Sequence, residues 1–117
     1  MAAKIYIGHR GPQGVIVTVN GRQLDWRRDL YYHSPSGFEF GYRGSAPAQL
    51  ALAILADHFG AGVPALAAHQ DFKSDVISKL RGDSFTLTTD QIEDHLLSIQ
   101  RERMVAARGT GADPAAT

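Results

Sequence analysis

The segment Leu50–Ala56 consists only of apolar residues, and it constrains the fold more than any other part of the chain. Before it, Ser45 and Pro47 are typical of a helix start, where serine caps free N–H groups and the missing proline N–H is not needed. After it, Gly60 is typical of a helix end. A helix that is apolar on nearly all sides is a buried helix. We therefore expect a central core helix that ends at about Phe59.

The residues before this helix alternate as β-strands do. Lys4–His9 alternates between the two faces of a strand, and Val15–Val19 is β-branched throughout. Asn20-Gly21 follows and predicts a hairpin, because both central positions of such a turn need a positive φ. The returning strand is predicted over Arg22–Trp26, and Phe38–Tyr42 alternates as one strand more. These segments predict an antiparallel sheet in the N-terminal half.

Two further helices are expected after the core helix. Apolar residues at helical spacing predict one over about 65–80, and Ser84–Leu87 is predicted to be a short strand. Thr88 and Gln91 then match a capping box at the start of a third helix. The predicted fold class is α+β, with an antiparallel N-terminal sheet packed against three helices, one of them buried.

Length and composition are those of one ordinary globular domain. The chain has 117 residues, of which 44% are hydrophobic and 21% charged, and this is enough for a single core. We expect one domain over residues 1–107 and a disordered tail over 108–117, where Gly, Ala, Thr and Pro dominate. The absence of cysteine excludes disulfides and thiol-based sites. Apolar runs fall far short of the ~20 residues of a membrane helix, so we expect a cytoplasmic protein that does not contact a membrane.

Charge is unevenly distributed, although the formal net charge is zero. Residues 1–44 carry six basic and three acidic side chains, and the remainder carries six basic and nine acidic ones. The positive part contains a cluster of arginine and aromatic residues, Trp26, Arg27, Arg28, Tyr31 and Tyr32, which His33 follows directly. This composition is typical of a protein-binding hot spot and also of a platform that stacks single-stranded nucleic acid. Alternatively, the rings fill the core under the sheet.

A second candidate is the predicted start of the core helix. Arg43, Gly44 and Ser45 follow a strand and a glycine turn, and the free N–H groups at such a helix start can bind an anion such as phosphate. The simpler alternative is a tight turn followed by a cap. The glycine spacing lacks the third glycine of the dinucleotide fingerprint and the lysine of a P-loop.

Metal binding and catalysis have weak support in the sequence. Histidines lie near acidic residues at three places: Asp57-His58, His69-Gln70-Asp71 and Asp94-His95. None of these pairs has the i,i+4 spacing of a helical zinc site, and no serine lies in a nucleophile elbow. We therefore expect no metal, no cofactor and no enzymatic reaction.

Three blocks of sequence together carry a family resemblance: Gly37–Leu55, His69–Lys73, and Phe85–Thr88 with Ile92. They resemble an uncharacterised family of small proteins encoded by phages, plasmids and other bacterial mobile elements, over roughly 4–97. That family has no established activity, so the resemblance implies a context and no site residues. The context suggests a non-enzymatic binding protein that interacts with and inhibits a host protein or protein complex, for example a defence system, as anti-CRISPR proteins do. The alternative is a small nucleic-acid or nucleotide-binding protein, which zero net charge disfavours.

Overall fold

The computed structural model describes residues 3–111, with side chains described as far as residue 107. The strands are β1 (Ile5–Gly11), β2 (Gly14–Val19), β3 (Arg22–Gln23) and β4 (Ser84–Thr88). The helices are α1 (Ser45–Phe59), α2 (Gly62–Asp75) and α3 (Thr89–Gly111), with a short 3-10 helix at Ile77–Lys79. The α+β fold with three α-helices, one of them buried, is as predicted from the sequence.

The four strands form one antiparallel sheet in the order β3-β2-β1-β4. Tyr6 on β1 lies between Val19 on β2 and Leu87 on β4, and all three side chains are buried against the helices. The neighbouring positions Ile5 and Ile7 point to the opposite face of the sheet and are exposed. In the part of the chain that the structure describes, helices therefore cover only one face of the sheet.

Of the predicted strands, Arg22–Trp26 is much shorter than expected and Phe38–Tyr42 is not formed. Asn20 and Gly21 adopt the positive φ values of the predicted hairpin turn, 49° and 83°. The returning strand, however, stops at Gln23, because the Asp25 side chain accepts the Arg27 N–H at 2.9 Å and turns the backbone away. The predicted strand Phe38–Tyr42 was also wrong.

Only Phe38 pairs with the sheet, through an isolated bridge to Val15. Gly37 and Gly41 have φ values of 119° and 94°, and these bends on both sides of Phe38 take the backbone off the sheet. The buried side chains of Phe38 and Phe40 still reach the core.

Helix α1 is the predicted core helix, and its side chains from Pro47 to Ala56 are all buried. It ends at Gly60, whose left-handed φ of 68° is the expected end signal. Its start differs by one residue from the expectation. Gly44 is the residue before the first turn and Ser45 is already helical, so serine does not cap this helix.

Helix α2 begins earlier than predicted and ends earlier too. It starts at Gly62, and Pro64 lies in its first turn, where a backbone N–H has no partner within the helix and proline, which lacks one, loses no hydrogen bond. It ends at Asp75, and the 3-10 helix replaces the last turn of the predicted 65–80 helix.

Helix α3 begins with the predicted capping box. The Thr88 N–H donates to Gln91 Oε1 at 3.0 Å, and the Gln91 N–H donates to Thr88 Oγ1 at 3.2 Å. The helix continues to Gly111, so residues 108–111 of the expected tail are helical. The remainder of that tail, 112–117, lies outside the described residues. None of the helices in the described part of the chain is long and apolar enough to cross a membrane.

Candidate functional site

The loop between β3 and α1, residues 24–44, carries both candidate sites and is here called the aromatic loop. Its backbone is held by Gln49, a fully buried side chain on α1. Gln49 Oε1 accepts the N–H groups of His33 at 2.8 Å and Ser34 at 3.2 Å. Gln49 Nε2 donates to the carbonyl oxygens of Trp26 at 2.7 Å and Tyr31 at 3.1 Å. One buried amide therefore holds both ends of segment 26–34.

A second anchor holds the loop near its C-terminal end. The Arg10 guanidinium on β1 donates to Glu39 Oε1 at 2.9 Å and to the Phe40 carbonyl at 3.1 Å. It also pairs with Asp83 at 3.0 Å and lies 4.3 Å from the centre of the Phe40 ring. The loop is thus attached to the sheet as well as to α1.

Trp26 and Arg28 pack against each other inside the loop. The Trp26 ring is half-buried, with its centre 5.5 Å from that of the core residue Phe38. The Arg28 guanidinium lies 3.9 Å from the Trp26 ring and 4.9 Å from the Tyr32 ring. It also donates to the carbonyl oxygens of Ser34 at 3.1 Å and Pro35 at 2.8 Å. Both side chains therefore stabilise the loop itself.

The charge of Arg27 is also paired within the loop. Its guanidinium donates to both carboxylate oxygens of Asp29 at 3.0 Å, and this hydrogen bonding lowers the pKa of Asp29. Its backbone has a φ of 54°, in the left-handed region. Arg27 and Asp29 thus form a local ion pair.

Two tyrosines of the cluster point to solvent. Tyr31 is 56% exposed and Tyr32 is 58% exposed. The Tyr31 ring stacks on His33, with ring centres 4.2 Å apart and planes 26° from parallel. The structure therefore divides the five cluster residues by burial: Trp26, Arg27 and Arg28 are half-buried, and Tyr31 and Tyr32 are more than half exposed.

His33 joins the aromatic loop to α2. Its Nε2 lies 2.9 Å from Nε2 of His69, whose Nδ1 lies 2.9 Å from the carbonyl oxygen of Leu66. A carbonyl oxygen only accepts, so His69 carries its proton on Nδ1 and accepts the His33 N–H at Nε2. Burial lowers the pKa of His33, and the nearby His69 and Lys73 lower it further. The surroundings of His33 therefore favour its neutral form.

A groove of about 380 Å³ lies between the edge of β2 and the aromatic loop. It occupies the gap between the end of β3 and the bridge at Phe38, and its walls include Ile16, Leu24, Trp26 and Tyr42. The groove therefore has mixed walls, since Gln13, Gln23 and Glu39 also line it, and Tyr42 is its one exposed tyrosine.

The three residues of the candidate anion site, Arg43, Gly44 and Ser45, lie together at the start of α1. Arg43 and Ser45 are exposed on either side of Gly44, and the first turn of the helix contains no acidic residue. The Gly44 carbonyl accepts the Ala48 N–H at 3.0 Å. This geometry leaves anion binding a prediction.

A separate polar cluster joins β1 to the end of α1. The Tyr6 hydroxyl donates to Asp57 Oδ2 at 2.6 Å, and Lys4 Nζ lies 3.1 Å from the same oxygen. Burial raises the pKa of Tyr6, and the hydrogen bond to Asp57 raises it further. Tyr6 therefore remains a protonated donor, and the cluster fastens the sheet to the core helix.

Two of the three histidines near acidic residues, His58 and His69, contact partners elsewhere in the chain. His58 Nε2 lies 3.1 Å from Glu93, and His69 contacts His33 and Leu66. Within the described residues, no group of three or more histidine and acidic side chains is placed to hold a metal ion.

The loop-holding role of Gln49 and the contact between His33 and His69 were not predicted from the sequence. A signal for Gln49 was available, since it is a polar residue at the start of an otherwise apolar buried segment, and a buried amide needs hydrogen-bond partners. The His33–His69 pair has no comparable local signal, because its members are 36 positions apart.

Fold and site together define an α+β domain with a half-covered antiparallel sheet and a long, internally bonded aromatic loop. The chain belongs to DUF6166, a family of unknown function, whose model matches residues 6–98. The match agrees with the resemblance to an uncharacterised family. Comparisons with curated proteins and with solved structures gave no match.

Proposed function

We propose that this chain is a non-enzymatic protein-binding domain whose contact surface is the outer face of the aromatic loop. The observation that carries the proposal is the exposure of Tyr31 and Tyr32 on a loop that Gln49 holds through four hydrogen bonds. Tyrosine supplies a large contact area with few rotatable bonds. A loop that is already ordered loses little conformational entropy on binding.

The paired charges of Arg27 and Arg28 favour a protein partner over a nucleic acid. The cations of Arg27 and Arg28 are engaged by Asp29 and by the Ser34 and Pro35 carbonyls. A protein that follows a phosphate backbone needs arginine and lysine side chains that are available to phosphates. A hot spot instead needs only a few aromatic anchors, and the exposed rings of Tyr31 and Tyr32 meet this need.

The partner that we propose is a host protein or protein complex, and the outcome of binding is its inhibition. Counter-defence of the anti-CRISPR kind is the specific form of this proposal. Its support is the resemblance to small proteins of mobile elements, and the aromatic loop supplies a surface that can bind such a host protein.

The second candidate, a nucleotide or nucleic-acid ligand, is supported by one feature. Arg43 is exposed beside the start of α1, whose first turn carries no acidic residue. A phosphate group there would meet free N–H groups and a cation.

Capture from a nuclease-treated host lysate tests the primary proposal. The baits are the wild-type chain, a Tyr31→Ala/Tyr32→Ala variant and a Val105→Ala control, since Val105 is 64% exposed on α3, outside the aromatic loop. We expect a specific partner that the tyrosine variant loses and the control keeps, with equal melting temperatures. Equal capture by all three would refute the loop surface. Salt-sensitive oligonucleotide binding that Arg43→Ala abolishes would favour the second candidate.

A further inference from the structure

The contact between His33 and His69 joins the aromatic loop to α2 through two rings that acid can charge. Their Nε2 atoms lie 2.9 Å apart, and their ring centres lie 5.0 Å apart. His69 is only 5% exposed, and His33 is half-buried. Histidine is the side chain whose ordinary pKa, about 6.5, lies closest to neutral pH. The attachment of the loop to α2 can therefore depend on how many protons the pair holds.

One added proton leaves the hydrogen bond between the rings in place. In the neutral pair, the Leu66 carbonyl accepts from Nδ1 of His69, whose Nε2 accepts the N–H of His33. A proton added to His33 binds its Nδ1, so the donor at Nε2 and the bond to His69 are both kept. A proton added to His69 binds its Nε2, and His33 can then accept at Nε2 as its other tautomer. The singly charged pair therefore still holds the loop.

A second added proton removes this hydrogen bond. When both rings are charged, both Nε2 atoms carry a hydrogen and neither can accept. Two cations then face each other across the contact, and His69 is buried, where an unpaired charge is costly. Asp71, the acidic residue of α2 nearest to His69 in sequence, is paired with Arg103 at 3.0 Å. The doubly charged pair therefore relieves its repulsion by moving the rings apart.

The other groups around His33 also oppose its charge. Burial lowers the pKa of His33, and the nearby His69 and Lys73 lower it further. Tyr31 stacks on the ring and Gln49 accepts the backbone N–H, but both are neutral groups that cannot offset the repulsion. His33 therefore gains its charge only below the ordinary pKa of histidine, and the loop stays attached to α2 at neutral pH.

We propose that the His33–His69 pair is a two-proton switch that holds the aromatic loop against α2 at neutral pH and releases the segment around His33 in acid. Because the Tyr31 ring stacks on His33 with ring centres 4.2 Å apart, the release also displaces Tyr31. The opening is local, since the hydrogen bonds of Gln49 to the loop involve no titratable group. The switch regulates the contact surface proposed above, and in that respect it rests on the proposed function.

An NMR titration of the isolated chain tests the switch without any partner. On acidification the ring signals of His33 and His69 should change in two steps, because the first charge disfavours the second. The NOE between these two rings, and the one between Tyr31 and His33, should persist through the first step and disappear in the second. The backbone amide signals of α1 should stay in place throughout. A single step, ring NOEs that outlast both steps, or a loop that opens only when α1 unfolds would overturn the proposal.

Matched variants separate the switch from a general effect of acid. His69→Gln keeps an oxygen that can accept the His33 N–H but cannot be charged, so the Tyr31–His33 NOE should survive in acid. In His33→Gln the amide signals of residues 31–34 should likewise stay in place. His95→Gln alters an exposed histidine on α3 and should open as the wild type does. Opening in either of the first two variants, or a closed loop in the control, would contradict the switch.

The two proposals can fail separately, because the titration uses no partner. A loop that stays closed in acid would overturn the switch and leave the tyrosine surface untouched. Equal capture by the wild type and the Tyr31→Ala/Tyr32→Ala variant would instead refute the contact surface, while the two-step opening would still establish the switch.

Discussion

Gln49 Nε2 lies 2.7 Å from the carbonyl oxygen of Trp26 and fastens the aromatic loop directly to the core helix. The same side chain accepts two N–H groups from further along the loop. The shape of the proposed binding surface therefore depends on a residue that no partner can touch.

Replacing Gln49 with leucine should strongly destabilise the domain. The change keeps the volume and burial but leaves four backbone groups of the loop without their partner. Each buried polar group left unsatisfied costs about 1–3 kcal/mol, so we expect a loss of at least ~3 kcal/mol in the free energy of unfolding, measured in urea. The control is Gln70→Leu at an exposed position on α2. A Gln49→Leu protein as stable as the wild type would contradict this role.

Acid should weaken the domain through His33. Burial and the nearby His69 and Lys73 hold the folded-state pKa of His33 below its usual value, which is about 6.5 in an unfolded chain. The unfolded state thus binds the proton more readily, so stability rises with pH through this window. The contribution is fully present above about pH 6.5 and is lost as the pH falls through the folded-state pKa.

Urea titrations at several pH values from neutral to mildly acidic, on matched variants, measure the His33 effect. His33→Gln should show a shallower decrease in stability on acidification than the wild type. His95→Gln, which alters an exposed histidine on α3, should retain the wild-type slope. Identical slopes in all three proteins would exclude His33 as the source.

Arg27 and Arg28 should differ in their importance for stability, although they are neighbours. Arg28→Ala removes hydrogen bonds to two carbonyl oxygens and the contact with the Trp26 ring, so we expect a loss of about 1–3 kcal/mol. Arg27→Ala removes a local ion pair with exposed Asp29, which is worth about 0–1 kcal/mol. Thermal melts of the two variants compare them directly, and a larger loss for Arg27→Ala would contradict this assignment.

The features that were predicted correctly depend on neighbouring residues. The turn at Asn20-Gly21 follows from the backbone conformation that these two residues adopt easily, and the Thr88–Gln91 capping box is complete within four positions. The burial of α1 follows from an apolar run of its own. Each of these signals lies within a few consecutive residues, so it can be recognised without knowing the tertiary structure.

The two strand predictions that were wrong, Arg22–Trp26 and Phe38–Tyr42, took buried side chains as a sign of strand pairing. Leu24, Phe38 and Phe40 are buried as their alternation indicates, but the Asp25–Arg27 turn and the bends at Gly37 and Gly41 take the backbone out of the sheet. Hydrophobic alternation reports which side chains reach the core, and it does not report whether the main chain has a partner strand.

Gly8 lies at the centre of the sheet, opposite Phe85 on β4. A Cβ atom at Gly8 would overlap the Phe85 ring. That ring is buried and packs edge-on against Phe40, with ring centres 5.0 Å apart. Phe40 in turn packs its ring against the Arg10 guanidinium, which anchors the aromatic loop. The Phe85 ring therefore occupies the space that a side chain at position 8 would need.

Gly8→Ala should thus destabilise the domain by about 1–3 kcal/mol, the usual effect of overpacking a core. Gly11→Ala is the control on the same strand, because a Cβ there has room. The double variant Gly8→Ala/Phe85→Leu should be more stable than the sum of the two single changes predicts, since the smaller side chain leaves space for the added methyl group. Urea unfolding of the four proteins measures this coupling. If the two changes in the free energy of unfolding were strictly additive, the requirement for glycine at position 8 would not come from the Phe85 ring.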